Sequence, residues 1–232
     1  MIAPKDRLIV ALDVPRVADA QALVERLDDA VGVYKIGLEL LFVGGGAFAR
    51  GLVAAGKRVF FDAKLQDIGN TVERATANIA ELGATFLTVH GTDRKTLDAA
   101  VRGRGGSELK LLAVTVLTNL TEDDLEEQGI HMSPARLVAR RAWLAAEAGF
   151  DGVVASGQEA ARIRDELGPD ALIVTPGIRL TEDAEGDQAR VMTPARAIGD
   201  GADYLVVGRP ITQAEDPRAA AGAFVAEIAA QA

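Results

Sequence analysis

The chain has 232 residues, a length that fits one large domain or two small ones. Apolar residues make up 49% of it and aromatic residues only 4%, so we expect a core built from Ala, Val, Leu and Ile. The net charge of −9 argues against a general nucleic-acid-binding surface, which needs clustered Lys and Arg, but it is compatible with one local phosphate site. The lack of cysteine excludes thiol catalysis, thiolate metal sites and disulfides.

The hydropathy pattern predicts neither a signal peptide nor a membrane span. Residues 1–10 are too few and too charged for a signal peptide, and the apolar run that follows soon meets Asp13 and Pro15. No stretch approaches the roughly 20 apolar residues that a membrane span requires. Because the lack of cysteine also fits a reducing compartment, we expect a cytoplasmic protein with no membrane or nucleic-acid partner.

Short β-branched apolar runs alternate along the chain with longer amphipathic runs rich in Ala and Leu. Most of the short runs are continuously apolar, as expected of parallel strands that are covered on both faces. Pro134, Pro194 and Pro217 each follow a residue suited to the N-cap position, which predicts three helix starts. The strand candidates are residues 8–13, 33–37, 59–64, 86–90, 111–117, 152–155, 172–175 and 204–208.

Eight strand–helix units without a linker predict a single (β/α)8 TIM barrel, with residues 1–232 as one catalytic domain. The alternative, an open doubly wound sheet, would have a glycine-rich turn after its first strand, whereas residues 13–15 contain no glycine. In a barrel, function lies at the C-terminal ends of the strands, where long loops such as 118–133 and 178–193 often act as lids. The polar residues at these ends are Asp13, Lys35, Asp62, Lys64, His90, Thr118, Ser156, Arg179 and Arg209.

The densest candidate motif is FDAKLQDIGNT at residues 61–71. In a regular strand Asp62 and Lys64 point to the same face. Asp13 and Lys35, from the first two strands, could join them in a network of alternating charges that keeps each group ionised. The alternative is a structural ion-pair network at the barrel rim, because perturbed ionisable pairs mark functional sites only part of the time.

Two further motifs indicate a phosphate site. Residues 208–210, Gly-Arg-Pro, end the last strand, and barrels often bind phosphate after strands seven and eight. There the glycine would allow close approach to a ligand, and backbone N–H groups and Arg209 would bind the anion. Residues 175–179, Thr-Pro-Gly-Ile-Arg, form a tight turn that would supply the other wall. Solvated arginines beside an ordinary helix start are the alternative.

Three other features favour structural roles. His90 and His131 match no metal-binding spacing. The acidic residues at 122–127 are expected to form a solvated helix turn capped by Thr121. The glycines at 44–46 lack a following Lys-Ser/Thr pair, so they predict a turn or a helix break rather than a phosphate loop.

Taken in order, these motifs resemble those of the orotidine 5′-monophosphate decarboxylase family over essentially the whole chain. Gln66 and Gly69 depart from the pattern, since the family usually has His and Pro there. Neither position supplies a charge, so we expect an altered loop rather than a lost activity. The matching segments are Ala11-Leu12-Asp13, Tyr34-Lys35-Ile36-Gly37, the run from Asp62 to Thr71, Val114-Thr115-Val116-Leu117-Thr118, Thr175-Pro176-Gly177-Ile178-Arg179, Gly186-Asp187-Gln188 and Val207-Gly208-Arg209.

The resemblance implies decarboxylation of orotidine 5′-monophosphate to uridine 5′-monophosphate in de novo pyrimidine biosynthesis, without metal or cofactor. It implies that Lys64 donates a proton to C6 of the pyrimidine and that Asp62 lies beside the departing carboxylate. Asp13 and Lys35 would bind ribose hydroxyls and complete the charge network. Asp67 would reach the active site of a second subunit, making a homodimer. The other implied substrate-binding residues are Ile68, Thr71, Thr118 at the pyrimidine, Pro176, and Arg179, Gln188, Gly208 and Arg209 at the phosphate.

Two other functions stay open from the residues alone. A Mg²⁺-dependent 3-keto-sugar-phosphate decarboxylase or aldolase on the same barrel would use Asp62 and neighbouring acids as cation ligands. The lysines among those acids argue against it. A catalytically silent nucleotide-phosphate-binding barrel would keep Arg209 and Gln188 but would have no need of the network around Asp62.

Overall fold

The structure is a closed barrel of eight parallel strands, seen in a computed structural model that describes residues 2–180 and 192–231. The strands follow one another in sequence order, and β1 pairs with both β2 and β8. This arrangement confirms the predicted (β/α)8 TIM barrel. The strands are β1 (Leu8–Ala11), β2 (Val33–Gly37), β3 (Arg58–Leu65), β4 (Phe86–His90), β5 (Lys110–Val114), β6 (Gly152–Val154), β7 (Leu172–Thr175) and β8 (Tyr204–Val207).

Helices connect the strands. The predicted starts at Pro134, Pro194 and Pro217 are confirmed, and the side chains of Thr193 and Asp216 accept N-cap hydrogen bonds. None of the described helices combines the length and the apolar character that crossing a membrane demands. The helices are α1 (Pro4–Arg7), α2 (Val17–Leu27), α3 (Leu38–Leu40), α4 (Gly46–Ala54), α5 (Gly69–Leu82), α6 (Arg94–Arg104), α7 (Glu122–Glu127), α8 (Pro134–Ala148), α9 (Gly157–Leu167), α10 (Pro194–Gly199), α11 (Arg209–Thr212) and α12 (Pro217–Ala229).

Two local predictions have clear outcomes. A π-helical segment, Leu41–Gly45, separates α3 from α4, and its Gly44 has a φ of 111°. A helix break at the glycine run is therefore confirmed, because few residues other than glycine adopt that φ. The acidic residues form α7, which Thr121 starts with a capping box to Asp124, as the sequence predicts.

Two predicted strands are longer than the observed ones. The first was expected over residues 8–13 and the fifth over 111–117, but β1 and β5 stop earlier. Single hydrogen bonds from Leu12 N–H to the Lys35 carbonyl and from Thr115 N–H to the Val154 carbonyl extend the pairing by one residue. Beyond these bonds the chain turns over the rim, which releases polar side chains into the barrel mouth.

The barrel interior is a packed core rather than a channel. Inward-facing side chains fill it, and Phe86 packs edge-on against Phe60 and Tyr204 with ring centroids 5.7 and 5.1 Å apart. A second core, mostly aliphatic, lies between the strands and the surrounding helices. Because the interior is closed by side chains, a ligand has room only at the ends of the barrel.

The start of α5 offers a stability test. Gly69 occupies the first helical position, and Ile68 before it has φ −58° and ψ 143°, which suits a residue preceding proline. The N–H of Gly69 makes no hydrogen bond to the described part of the chain, and a Cβ on Gly69 would meet Ala99 Cβ at an ordinary 3.6 Å. Gly69→Pro, the residue usual in the family that the sequence resembles, should stabilise the fold by about 0.4–1 kcal/mol.

This change should raise Tm by about 1–4 °C for a domain of this size. Thermal unfolding at a fixed protein concentration measures the shift, and Gly69→Ala serves as the control for simple loss of glycine. A Tm below that of the wild type would show that the N–H or the exact φ of Gly69 is needed.

Candidate active site

A chain of alternating charges occupies the C-terminal mouth of the barrel. The Nζ of Lys35 lies 2.9 Å from Asp13 Oδ1 and 3.3 Å from Asp62 Oδ2. The Nζ of Lys64 lies 2.8 Å from Asp62 Oδ1. Asp13, which follows β1, therefore meets side chains from β2 and β3 in the order Asp13, Lys35, Asp62, Lys64, with no two like charges adjacent.

Burial and neighbouring charges shift the pKa values of Asp62 and Lys35 in opposite directions. Burial alone would raise the pKa of Asp62, but the ammonium groups of Lys35 and Lys64 outweigh it and hold that pKa below its ordinary value. Burial would lower the pKa of Lys35, whereas the carboxylates of Asp62 and Asp13 raise it overall. Both groups are thus charged at neutral pH, and each depends on its partners for that state.

The backbone that carries Asp62 and Lys64 is not a regular strand. Phe61 pairs with Leu87, but the next pair joins Leu65 to Val89. Three residues of β3, 62–64, therefore lie opposite the single residue Thr88 of β4. Lys64 has a φ of 47°, in the left-handed region that costs a non-glycine residue about 1–2 kcal/mol. Asp62 and Lys64 do share one cavity, as the sequence predicts, but the backbone between them is not that of a regular strand. The irregularity, common beside active sites, aims the lysine at its carboxylate.

A cavity of about 550 Å³ opens beside this network. One wall carries Asp13, Lys35, Asp62 and Lys64, and apolar side chains from the barrel interior form the floor. Two arginines lie on the lining as well, Arg179 after β7 and Arg209 at the start of α11. The apolar lining residues are Ala11, Phe60, Val114, Val116, Leu117, Val154, Ala155, Pro176 and Val206.

The structure brings most of the residues predicted at the phosphate end to this cavity. Arg179 is buried, and its guanidinium donates to the Ile178 carbonyl at 2.9 Å. Among residues 2–180 and 192–231, a Cβ on Gly208 would meet only Ala11 Cβ, at 3.7 Å, so the packing of these residues leaves the surface at Gly208 open to a ligand. Pro176 and Thr118 also line the cavity. Gln188 lies outside the described residues.

Three predicted residues lie away from the cavity of their own chain. Asp67, Ile68 and Thr71 are exposed and are not part of its lining. Asp67 Oδ1 accepts a hydrogen bond from the N–H of Ile68 at 2.6 Å. These residues follow β3 beyond Lys64, at the same rim as the charge network.

Neither His90 nor His131 lines the cavity. Burial lowers the pKa of His90, and the positive charges of Lys64 and Arg141 lower it further, so this imidazole is neutral at pH 7. His131 is exposed. Within residues 2–180 and 192–231, no cluster of three or more His, Asp or Glu residues is arranged to hold a metal ion.

Sequence reasoning missed one residue that touches the network. Thr88 lies two residues before His90 on β4, is fully buried, and contacts both Asp62 and Lys64 through its hydroxyl. A polar residue at an inward position of an apolar strand was the available signal. Glu39, Asn119, Thr212 and Gln213 also line the cavity and were not predicted.

The comparisons with known proteins agree with this architecture. The pattern of the orotidine 5′-phosphate decarboxylase / HUMPS family matches residues 6–224. The chain belongs to this family. An orotidine 5′-phosphate decarboxylase of Rhodopseudomonas palustris (strain BisA53) is 56% identical over 227 residues, which cover 98% of this chain and 96% of that protein. The enzyme of the same name from Afipia carboxidovorans is 58% identical over 226 residues, covering 97% and 96%.

A solved structure shares the fold. The crystal structure of orotidine 5′-phosphate decarboxylase from Lactobacillus acidophilus has a TM-score of 0.85 and 36% identity, covering 96% of this chain and 99% of that one. Relatives of this name are carboxy-lyases, and the chain is an enzyme of that class.

One departure from the family pattern has a structural counterpart. Gln66, where the family usually has His, donates from its side-chain amide to Thr92 Oγ1 at 3.2 Å. It thereby links the loop after β3 to the loop after β4 and takes no part in the charge network.

Proposed function

We propose that this enzyme decarboxylates orotidine 5′-monophosphate to uridine 5′-monophosphate in pyrimidine biosynthesis, without metal or cofactor, with Lys64 as the proton donor. The observation that carries the proposal is the alternating charge chain at one wall of a cavity that also carries Arg179 and Arg209. The whole chain would act as one catalytic domain in the cytoplasm.

The charge network suits the chemistry of this reaction. Loss of CO₂ from C6 leaves an electron pair on a ring carbon that has no carbonyl placed to delocalise it. A fixed ammonium at Lys64 stabilises that charge and then transfers its proton to C6. Asp62, bonded to Lys64 at 2.8 Å, holds the ammonium in place and lies beside the departing carboxylate. Preorganised charges of this kind need no rearrangement during the reaction.

The rest of the cavity would bind the nucleotide. Asp13 and Lys35 would bind the ribose hydroxyls, and Thr118 the pyrimidine ring. The phosphate would lie among Pro176, Arg179, Gly208 and Arg209, with Gln188 closing over it. Binding energy from a remote phosphate can favour the transition state rather than the ground state, because it drives closure around the reacting ring.

We also propose a homodimer in which Asp67, with Ile68 and Thr71, completes the partner's active site. Support comes from the exposed position of Asp67, which does not line the cavity of its own chain. Large apolar side chains are exposed around the same rim: Leu38 at 47%, Phe42 at 86%, Val43 at 51% and Ile68 at 74%. A second copy of the chain would cover them, since exposed apolar groups of this kind commonly mark interfaces.

The direct test is release of CO₂ from orotidine 5′-monophosphate by the purified protein, with formation of uridine 5′-monophosphate measured in parallel. A barrel that only binds nucleotide phosphates would bind the substrate and leave it unchanged. The absence of turnover by folded, dimeric protein would refute the proposal.

Exhaustive chelation should leave this activity intact. Lys35 lies between the carboxylates of Asp13 and Asp62, and Lys64 pairs with the other oxygen of Asp62, so ammonium groups occupy the positions that a divalent cation would need. The measurement is the rate before and after treatment with EDTA, followed by addition of Mg²⁺ or Zn²⁺. A loss that Mg²⁺ specifically restores would favour the metal-dependent sugar-phosphate alternative.

Arg209→Ala should mainly damage use of the phosphorylated substrate. A charge-assisted hydrogen bond contributes roughly 1.5–3 kcal/mol, which corresponds to a loss of about 10- to 150-fold in kcat/KM for the nucleotide. The comparison is with orotidine, which lacks the phosphate. Arg162→Ala is the matched control, because Arg162 pairs with Glu166 on the outer helix α9. Equal proportional losses for both substrates would place Arg209 outside the phosphate site.

A further inference from the structure

Thr88 is a buried polar residue in the middle of β4. It is 0% exposed and lies opposite the irregular part of β3, between the ladder pairs Phe61–Leu87 and Leu65–Val89. Before that interval Phe60 pairs with Phe86 and Phe61 with Leu87 in ordinary register, and after it the ladder ends with the Leu65–Val89 pair. The one place where β3 leaves the ladder therefore faces the Thr88 side chain.

The Thr88 hydroxyl makes two hydrogen bonds to that segment. It accepts from the backbone N–H of Lys64 at 2.9 Å and donates to Asp62 Oδ1 at 2.9 Å. The same carboxylate oxygen receives the Nζ of Lys64 at 2.8 Å. One hydroxyl thus ties the main chain of the lysine to the carboxylate that holds its ammonium.

The left-handed backbone conformation of Lys64 requires stabilising contacts. Its φ of 47° is unfavourable for a residue with a side chain and persists only where the surroundings hold it. With the hydroxyl removed, the Lys64 N–H would lose its acceptor and Asp62 one of its donors. The segment could then relax toward an ordinary strand conformation, which would change the direction of the Lys64 side chain.

We propose that Thr88 is a positioning residue for the reaction. Its hydroxyl fixes the left-handed backbone of Lys64 and the orientation of Asp62, and so sets where the ammonium stands relative to the reacting carbon. The inference rests on the proposed role of Lys64. It predicts that Thr88 affects kcat far more than nucleotide binding, because the phosphate end of the cavity does not depend on it.

The test compares Thr88→Val, which keeps the shape and loses the hydroxyl, with Thr88→Ser, which keeps the hydroxyl. Thr88→Val should lower kcat at least tenfold while the Kd for uridine 5′-monophosphate changes less than threefold. Thr88→Ser should stay within threefold of the wild-type kcat. Thr76→Val is the matched control, since Thr76 on α5 is equally buried and its hydroxyl has no partner in the described part of the chain.

Several outcomes would overturn the proposal. One is a kcat for Thr88→Val within twofold of the wild type, and another is an equal loss in Thr88→Ser. If Thr88→Val fails to fold, Thr88→Ala takes its place, and failure of both would make the residue structural. Lys64→Ala, measured in parallel, separates a failure of the proposed donor role of Lys64 from a failure of the proposed positioning role of Thr88. An active Lys64→Ala variant refutes the proposed donor, whereas an inactive one beside an unaffected Thr88→Val refutes only the role of Thr88.

Discussion

Lys64→Ala should abolish decarboxylation while the protein still binds uridine 5′-monophosphate. On the proposed mechanism the variant loses both the fixed charge that would stabilise the carbanion and the proton donor, two effects that each commonly reach a hundredfold or more. We expect kcat to fall by at least about a thousandfold, or ~4 kcal/mol in the barrier. Lys35 cannot replace the missing group, because its buried Nζ is held between Asp13 and Asp62.

The measurement pairs turnover with calorimetric binding of the product, which separates a lost chemical step from a lost fold. Lys57→Ala is a suitable control, since Lys57 precedes β3 at the opposite end of the barrel and donates to the Asp28 carbonyl. Turnover of Lys64→Ala within about tenfold of the wild type, only ~1.4 kcal/mol, would contradict the donor assignment.

Activity should return when Lys64→Ala and Asp67→Ala subunits are mixed under conditions that exchange them. In the proposed dimer with shared sites, each single-variant homodimer should be nearly inactive, because every site lacks one of the two residues. In a heterodimer one site is doubly damaged, while the other combines an intact Lys64 with the partner's intact Asp67. Random exchange of equal amounts makes about half of the dimers mixed, so about one quarter of wild-type activity should appear.

The matched control mixes Lys64→Ala with a variant that carries both substitutions. No site in those heterodimers has Lys64, so the mixture should stay inactive. Heterodimer formation can be verified with subunits of different mass in native mass spectrometry. If proven heterodimers of the two single variants show no recovery, Asp67 serves its own chain and the shared-site proposal is wrong.

The barrel could be predicted because its signal is local and repeated. Mostly apolar runs such as residues 86–90 and 172–175 match β4 and β7 at both ends. Buried parallel strands impose that pattern wherever they occur. The strand ends at residues 12–13 and 115–117 could not be predicted, because pairing there depends on where the neighbouring strand stops.

The candidate site was predictable in composition but not in geometry. Ionisable residues at the ends of apolar strands indicated which side chains face the mouth, and the ion pairs from Asp13 through Lys35 and Asp62 to Lys64 follow that order. Their roles in the reaction stay predictions. The bulge in β3 was not predicted, because nothing in the local sequence distinguishes it from ordinary alternation.

The alternation of strands and helices, the end of the barrel that carries the candidate site, and the charged residues available there were all predictable from the amino-acid sequence. These follow from hydrophobic periodicity and from the rule that parallel strands end at one edge. The left-handed backbone of Lys64, and the hydrogen bond that its N–H donates to Thr88, 24 residues further along, emerge only in the folded structure. Such contacts arise from the register between strands, which local sequence patterns do not encode.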